Sequence, residues 1–156
     1  MAVNRGKQFE EKFKRDFSII PNCSLDRLYD TTNGFKSITN ICDFIGYVFP
    51  NIFYIEVKSI QGNTFPLRNL TQYSKMVRKV GIKGVRVGVI IWYTEKDRVI
   101  YIPIKTITQM MKDQKKSVNI RTIDSDGYRF IDIPSKKKIV FMDSDYSVLL
   151  DLEEGD

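Results

Sequence analysis

The chain contains no histidine, which removes the Ser–His triad, the Cys–His dyad, the histidine general base and histidine-ligated zinc in one step. Hydrolytic chemistry then has to rest on carboxylates, lysine, tyrosine or metal-bound water. Cysteine is almost as scarce. Cys23 and Cys42 are the two present, and their spacing fits no zinc or redox motif, so they read as free thiols of a cytosolic protein. No run approaches the roughly 18 apolar residues of a membrane span, and no apolar signal core follows Met1–Arg5. Long linkers, repeats and low-complexity tracts are missing too, so the chain of 156 residues reads as a single unit able to bury a core.

What is present is positive charge, unevenly placed. The formal net charge is +6, but residues 143–156 hold six acidic side chains and no basic one. The remainder carries 25 basic against 13 acidic residues, a balance of +12 that attracts polyanions and steers association with nucleic acid. The expected organisation is therefore a body over residues 1–142 and an acidic C-terminal tail over 143–156.

Periodicity supplies the elements. Asn4 is a candidate N-cap, and Phe9, Phe13 and Phe17 recur every four residues as on one face of a helix ending before Pro21. On that helix Glu10 lies about 100° from Phe9, beside the apolar stripe, whereas Glu11 lies about 200° away on the solvent side. A short strand is expected over residues 25–29, a polar turn over 30–34, and a β-hairpin from residues 41–48 and 52–60 around Phe49-Pro50-Asn51. Helical spacing follows over residues 70–80, then strands over 85–93 and 98–104, a helix over 106–116 and peripheral strands over 128–133 and 138–142. This order implies an α/β sandwich with a mixed central β-sheet flanked by helices.

One constellation carries chemistry. Glu56 and Lys58 are two apart on the predicted strand and share a face. Counting outward from a turn between Phe49 and Pro50 sets Asp43 opposite Glu56. Directly opposed residues have Cβ atoms about 4.5–5.5 Å apart. Two carboxylates that close repel unless a cation joins them, and a hard divalent ion such as Mg²⁺ or Mn²⁺ with oxygen ligands resolves the conflict. A lysine on that face can hold or polarise a water against a phosphate. The plain alternative is a solvated sheet face with a Glu–Lys pair.

Four segments in order add a resemblance. Asn4-Arg5-Gly6 with Phe9-Glu10, Cys42-Asp43-Phe44-Ile45-Gly46, Ile55-Glu56-Val57-Lys58 and Thr64-Phe65-Pro66-Leu67-Arg68-Asn69-Leu70 resemble the corresponding segments of RecU-type Holliday junction resolvases, nucleases of the PD-(D/E)XK type. The resemblance runs from about residue 4 to 80 and implies a restriction-endonuclease-like fold and cutting of four-way DNA junctions by a Mg²⁺-dependent homodimer. It further implies metal binding by Asp43 and Glu56, with Glu10 direct or through water, a water-assisting Lys58, and Gln72 near the site. It leaves no place for a membrane or a small-molecule substrate. Candidate DNA contacts are Arg5 and Lys7 at the helix start, Arg68, and the basic face of the 70–80 segment with Lys75, Arg78 and Lys79. The family's long stalk is short here, where Asn33-Gly34-Phe35-Lys36 supplies Phe35 as a candidate wedge and Lys36 as a phosphate contact. Other DNA substrates, or a DNA-binding role without catalysis, are the alternatives.

Overall fold

The computed structural model describes residues 4–29, 31–33 and 36–156. Helix α1 (Arg5–Phe17) begins where expected: the Asn4 side chain accepts a hydrogen bond from the Lys7 N–H at 3.2 Å, satisfying one of the first orphan donors. Lys14 and Arg15 sit in its last turn, where positive charge suits the helix dipole. Phe9, Phe13 and Phe17 are buried as one stripe. Strand β1 (Cys23–Arg27) follows, then a small hairpin of β2 (Thr31–Asn33) and β3 (Lys36–Ile38). β4 (Phe44–Val48) and β5 (Asn51–Ile60) form the long hairpin. The crossover after it carries β6 (Thr64–Pro66), a 3₁₀ turn (Leu67–Asn69) and α2 (Tyr73–Met76). β7 (Val85–Tyr93), β8 (Arg98–Pro103) and α3 (Ile104–Lys112) come next. The chain closes with β9 (Ser117–Asn119), β10 (Ile131–Ile133), β11 (Ser135–Lys137), β12 (Met142–Ser144) and a 3₁₀ helix (Tyr146–Asp151).

The central sheet has six strands in the order β1-β4-β5-β7-β8-β10, mixed because β5 and β7 run parallel while the other neighbours are antiparallel. A parallel pair needs a crossover, and residues 61–84 provide it. Both faces are covered. On one, α1 and the C-terminal 3₁₀ helix bury Phe13, Phe17, Tyr146 and Leu149 against Phe44, Phe53 and Ile55. On the other, α3 and the crossover bury Ile104, Ile107 and Met76 against Val87, Val89 and Ile91. β7, covered on both sides, accordingly reads as a nearly continuous apolar run, with Ile90, Ile91 and Trp92 all buried.

Several boundaries differ from the sequence reading for identifiable reasons. The strand expected at 25–29 begins and ends two residues earlier, because its register is set by β4. The helix expected over 70–80 contracts to α2 and a 3₁₀ turn (Val77–Lys79): Leu70 closes the preceding 3₁₀ turn instead of opening a helix, although Leu70 is buried and Tyr73, Val77 and Val80 pack partly buried against the same core, as their spacing implied. The helix expected at 106 starts directly after Pro103 and stops before Gln114, whose φ of 60° leaves helical geometry. Residues 138–141 are a turn between β11 and β12, closed by Lys138 N–H donating to the Phe141 carbonyl at 2.8 Å. The polar stretch after β1 contributes the β2–β3 hairpin; Phe35 and the Lys36 side chain lie outside the described residues. The acidic C-terminal stretch is folded, with Tyr146, Leu149 and Leu152 buried. Its carboxylates meet basic partners, Glu154 to Arg86 at 3.5 Å and Asp156 to Arg129 at 2.9 Å.

One close approach holds β7 and β8 together. A Cβ on Gly88 would lie 2.2 Å from the ring of Tyr101, a fully buried side chain with no room to withdraw. Gly88→Ala is expected to destabilise by about 2–3 kcal/mol or more, the upper range for overpacking a filled core. A denaturant titration checks it; an unchanged midpoint would show that Tyr101 can move.

Candidate active site

The β4–β5 register sets the site. Phe44 pairs with Ile55 and Val48 with Asn51, so the next step outward faces Asp43 with Glu56, as the symmetric count expected. Here β4 leaves the ladder, and two bonds hold Asp43 at the exit. Its carbonyl accepts from the Leu28 N–H at 2.8 Å, and its Oδ2 accepts from the Val57 N–H at 2.8 Å. The carboxylate thus takes the donor that a continuing strand would have paired.

Glu56 is 0% exposed, an unusual place for a carboxylate. Its Oε1 lies 2.6 Å from Lys58 Nζ, and Oε2 has no hydrogen-bond partner among the described residues. Burial, then the nearby charge of Asp43, pushes its pKa up to about 7 against the opposing pull of Lys58. Ile55 and Val57 point to the other face, into the core under α1, so β5 is buried on both sides at this point. For Lys58, burial disfavours the charged form, but Glu56 foremost, with Asp43 and Glu10, outweighs it and raises the pKa, keeping the ammonium charged.

Glu10 approaches from α1, half-buried, while Glu11 is exposed, as the helical wheel implied. Burial and the charge of Asp43 raise the Glu10 pKa; Arg27 and Lys58 pull it back. Arg27, at the end of β1, was not legible in the sequence. It forms ion pairs with Glu10 and, at 2.5 Å, with Glu11, and its guanidinium lies 6.0 Å from the centroid of the Phe44 ring. Only the β1–β4 register, which pairs Arg27 with Phe44 beside Asp43, brings it there. Arg27→Ala is expected to move the Glu10 titration further upward, since the favourable charge beside the carboxylate is lost. NMR of the side-chain carboxyl would read it, and an unmoved or lowered pKa would contradict the arrangement.

The arrangement suits a hard cation in a specific way. It offers carboxylate oxygens, one of them buried without a partner, beside a second carboxylate whose charge opposes ionisation. Among the described residues no three His, Cys, Asp or Glu side chains group closely enough to hold a metal ion on protein ligands alone. An oxygen-preferring ion such as Mg²⁺ tolerates this, because it keeps several waters and takes substrate phosphate oxygens alongside one or two carboxylates. Cys42 is no rival nucleophile: burial and the charge of Glu56 push its thiol up to about 12.

The other sequence candidates lie on α1 and the crossover. Arg5 and Lys7 are exposed at the start of α1, and Arg68 is exposed on the 3₁₀ turn after β6. Gln72 stands immediately before α2, where its Oε1 accepts from Thr71 at 2.9 Å. Lys75 is tied to Thr39 through the backbone carbonyl and, at 2.7 Å, the hydroxyl, fastening the crossover to the segment that leads into Asp43. Lys79 lies over the Tyr54 ring at 5.5 Å, and Arg78 is exposed.

The family model of recombination protein U, RecU, matches residues 11–144, from the first helix through β12. The chain belongs to the RecU family. RecU proteins are Holliday junction resolvases, nucleases of DNA recombination. A solved resolvase structure shares the architecture: Hjc from Archaeoglobus fulgidus, described as a Holliday junction resolvase from an archaeal hyperthermophile. It aligns with a TM-score of 0.55 and 15% identity over 76% of this chain and 92% of that one. The likeness is one of fold, a restriction-endonuclease-like sandwich, built in this chain on a mixed six-stranded sheet. No curated relative matches the chain by sequence.

Proposed function

We propose that this RecU-family chain resolves four-way DNA junctions as a homodimer, nicking two strands symmetrically at the Asp43–Glu56–Lys58 centre. The observation that carries the site assignment is the buried, partnerless Glu56 oxygen facing a second carboxylate with a charged lysine at 2.6 Å. Asp43 and Glu56 would hold a divalent cation, Mg²⁺ with Mn²⁺ able to substitute. Such an ion offsets charge on the phosphate and lowers the pKa of a bound water. Lys58, kept charged by its neighbours, orients the attacking water and meets the developing negative charge. Glu10, paired with Arg27, would complete the site directly or through a metal-bound water.

Arg5, Lys7, Arg68, Arg78 and Lys79 are exposed or rim cations suited to phosphates. Gln72 stands as a site residue by resemblance, and Phe35 and Lys36 as the shortened stalk. Two nicks related by a dyad need two copies of the centre, which a C₂ dimer supplies. The proposed place of action is the cytosol; among the described residues no helix is long and apolar enough to cross a membrane.

The test is cleavage of a labelled mobile four-way junction beside matched linear duplex and single strands, in Mg²⁺ and in EDTA. Paired symmetric nicks on the junction alone, lost in EDTA, are expected. Equal cutting of every substrate would remove the junction assignment, and absence of cutting by folded, DNA-binding protein would remove the catalytic one.

A further inference from the structure

Among the described residues the most exposed large apolar side chain is Ile139, 98% exposed, with Val140 beside it at 58%. Both occupy the tip of the β11–β12 hairpin, whose last ladder pair is Lys137 with Met142. Neither side chain, at a tight four-residue tip, is part of the buried core. Around them the charge is positive. Lys136, Lys137 and Lys138 precede the tip, and Arg5 and Lys137 line one cleft with Ile139 and Val140. Acidic groups are present as well, Asp97 at 2.5 Å from Lys137 and Asp143 at 3.3 Å from Lys138. These are exposed pairs, of the kind worth little in water and readily exchanged for phosphate.

The tip is not loosely hung. Phe141 at its base packs on Trp92 with ring centroids 5.5 Å apart, and Trp92 packs on Phe9 at 5.2 Å. Phe9 precedes Glu10 on α1, so one chain of aromatic contacts runs from the tip to the helix that borders the carboxylates. β12 is fastened to the same helix. The Ser144 N–H donates to Asp16 at 3.0 Å inside the protein, and Asp143 meets Lys12 at 2.9 Å. The tip also stands at the end of the sheet that the centre occupies: Lys137 reaches Asp97, in the turn that follows the strand paired with Lys58, Ser59 and Ile60.

We propose that Ile139 and Val140 form an apolar wedge that inserts between base pairs at the branch point of DNA, with the surrounding lysines and Arg5 on the flanking phosphates. The partner follows from the charge. A rigid apolar point in a cationic collar matches a polyanion with an apolar interior, which is a base step between two phosphate backbones, and such wedges unstack the step they enter. In continuous duplex each step is stacked and unstacking it costs a few kcal/mol; at a branch point stacking is already interrupted, so the wedge favours branched DNA. This rests on the junction reading above and adds to it a second, independent element of selectivity.

The test uses full-length protein and an immobile four-way junction carrying 2-aminopurine at the branch point, in EDTA so that binding proceeds without cutting. Wild-type protein is expected to raise the fluorescence. The exposed double substitution Ile139→Ser, Val140→Ser is expected to keep the melting temperature, lose most of that rise and weaken junction binding about tenfold, with duplex affinity changed less than about twofold. Unchanged fluorescence and affinity in the double variant would overturn the wedge. So would a changed sedimentation coefficient with unstacking intact, which would make the tip a protein contact. If wild-type protein unstacks the branch but does not cut it in Mg²⁺, the wedge stands and the catalytic reading falls.

Discussion

Glu56→Gln is expected to slow junction cleavage by roughly a hundredfold to a thousandfold and, in metal-free protein above neutral pH, to make the fold more stable. The two effects have one cause. Folding raises the Glu56 pKa from 4.5 to about 7, chiefly by burial and then by Asp43. Between those values the folded chain holds a proton that the unfolded chain has given up, so stability falls as pH rises through the window. The deficit is complete above the folded pKa and absent below the ordinary one. Gln keeps the shape of the neutral acid and removes the penalty, a gain on the order of 2 kcal/mol near pH 8 that vanishes near pH 4. The cost appears in catalysis, where losing one charge-stabilising group lowers the rate by roughly a hundredfold to a thousandfold. Denaturant titrations at both pH values, with EDTA, check the first part, and single-turnover cleavage checks the second. A variant less stable than wild type at pH 8 would show that Glu56 is satisfied as an anion without metal. In wild type, cleavage at limiting Mg²⁺ should rise with pH until Glu56 is ionised, then level off above about 7.

Lys58→Ala should lower the cleavage rate by about 10²–10⁴, the range for a positioned proton-handling group, while junction affinity in EDTA changes little. It has a second consequence. Lys58 is the charge that pulls the Glu56 pKa down, so its removal sends that pKa higher and shifts the acid limb of the pH–rate profile upward. Lys58→Arg keeps the charge but replaces a compact ammonium by a broad planar fork, so it should restore the profile's position without restoring the full rate. An Ala variant with equal losses in binding and rate, and an unmoved profile, would assign Lys58 to DNA contact alone.

These expectations rest on residues that were readable in advance, for a definite reason. The hairpin turn at Phe49-Pro50 fixes a register by counting, and the alternation of side chains on β5 then fixes faces, so the opposition of Asp43 and Glu56 and the shared face of Glu56 and Lys58 follow from spacing. The phenylalanine stripe likewise placed Glu10 inward and Glu11 outward. Arg27 was hidden because its role depends on the pairing of β1 with β4, a contact between segments joined by a long excursion. The crossover reads as a helix because Leu70, Tyr73, Val77 and Val80 keep helical spacing and pack on the core while the backbone passes through 3₁₀ turns. In the C-terminal stretch, acidic residues mask the three-residue spacing of a 3₁₀ helix that buries Tyr146, Leu149 and Leu152. The wedge at Ile139 and Val140 was invisible for a related reason, since an apolar pair in a β-branched stretch reads as strand until the turn is seen.

The most direct test of the account is calorimetric titration of Mn²⁺ or Mg²⁺ into metal-free protein at pH 7 and about 8.5, in buffers of different ionisation enthalpy. Wild type should bind with proton release at pH 7, because Glu56 must ionise to coordinate, and with less release at the higher pH. Asp43→Asn and Glu56→Gln should each lose most of the affinity. Binding that survives both substitutions, or that releases no proton at pH 7, would contradict a metal centre built on this carboxylate pair.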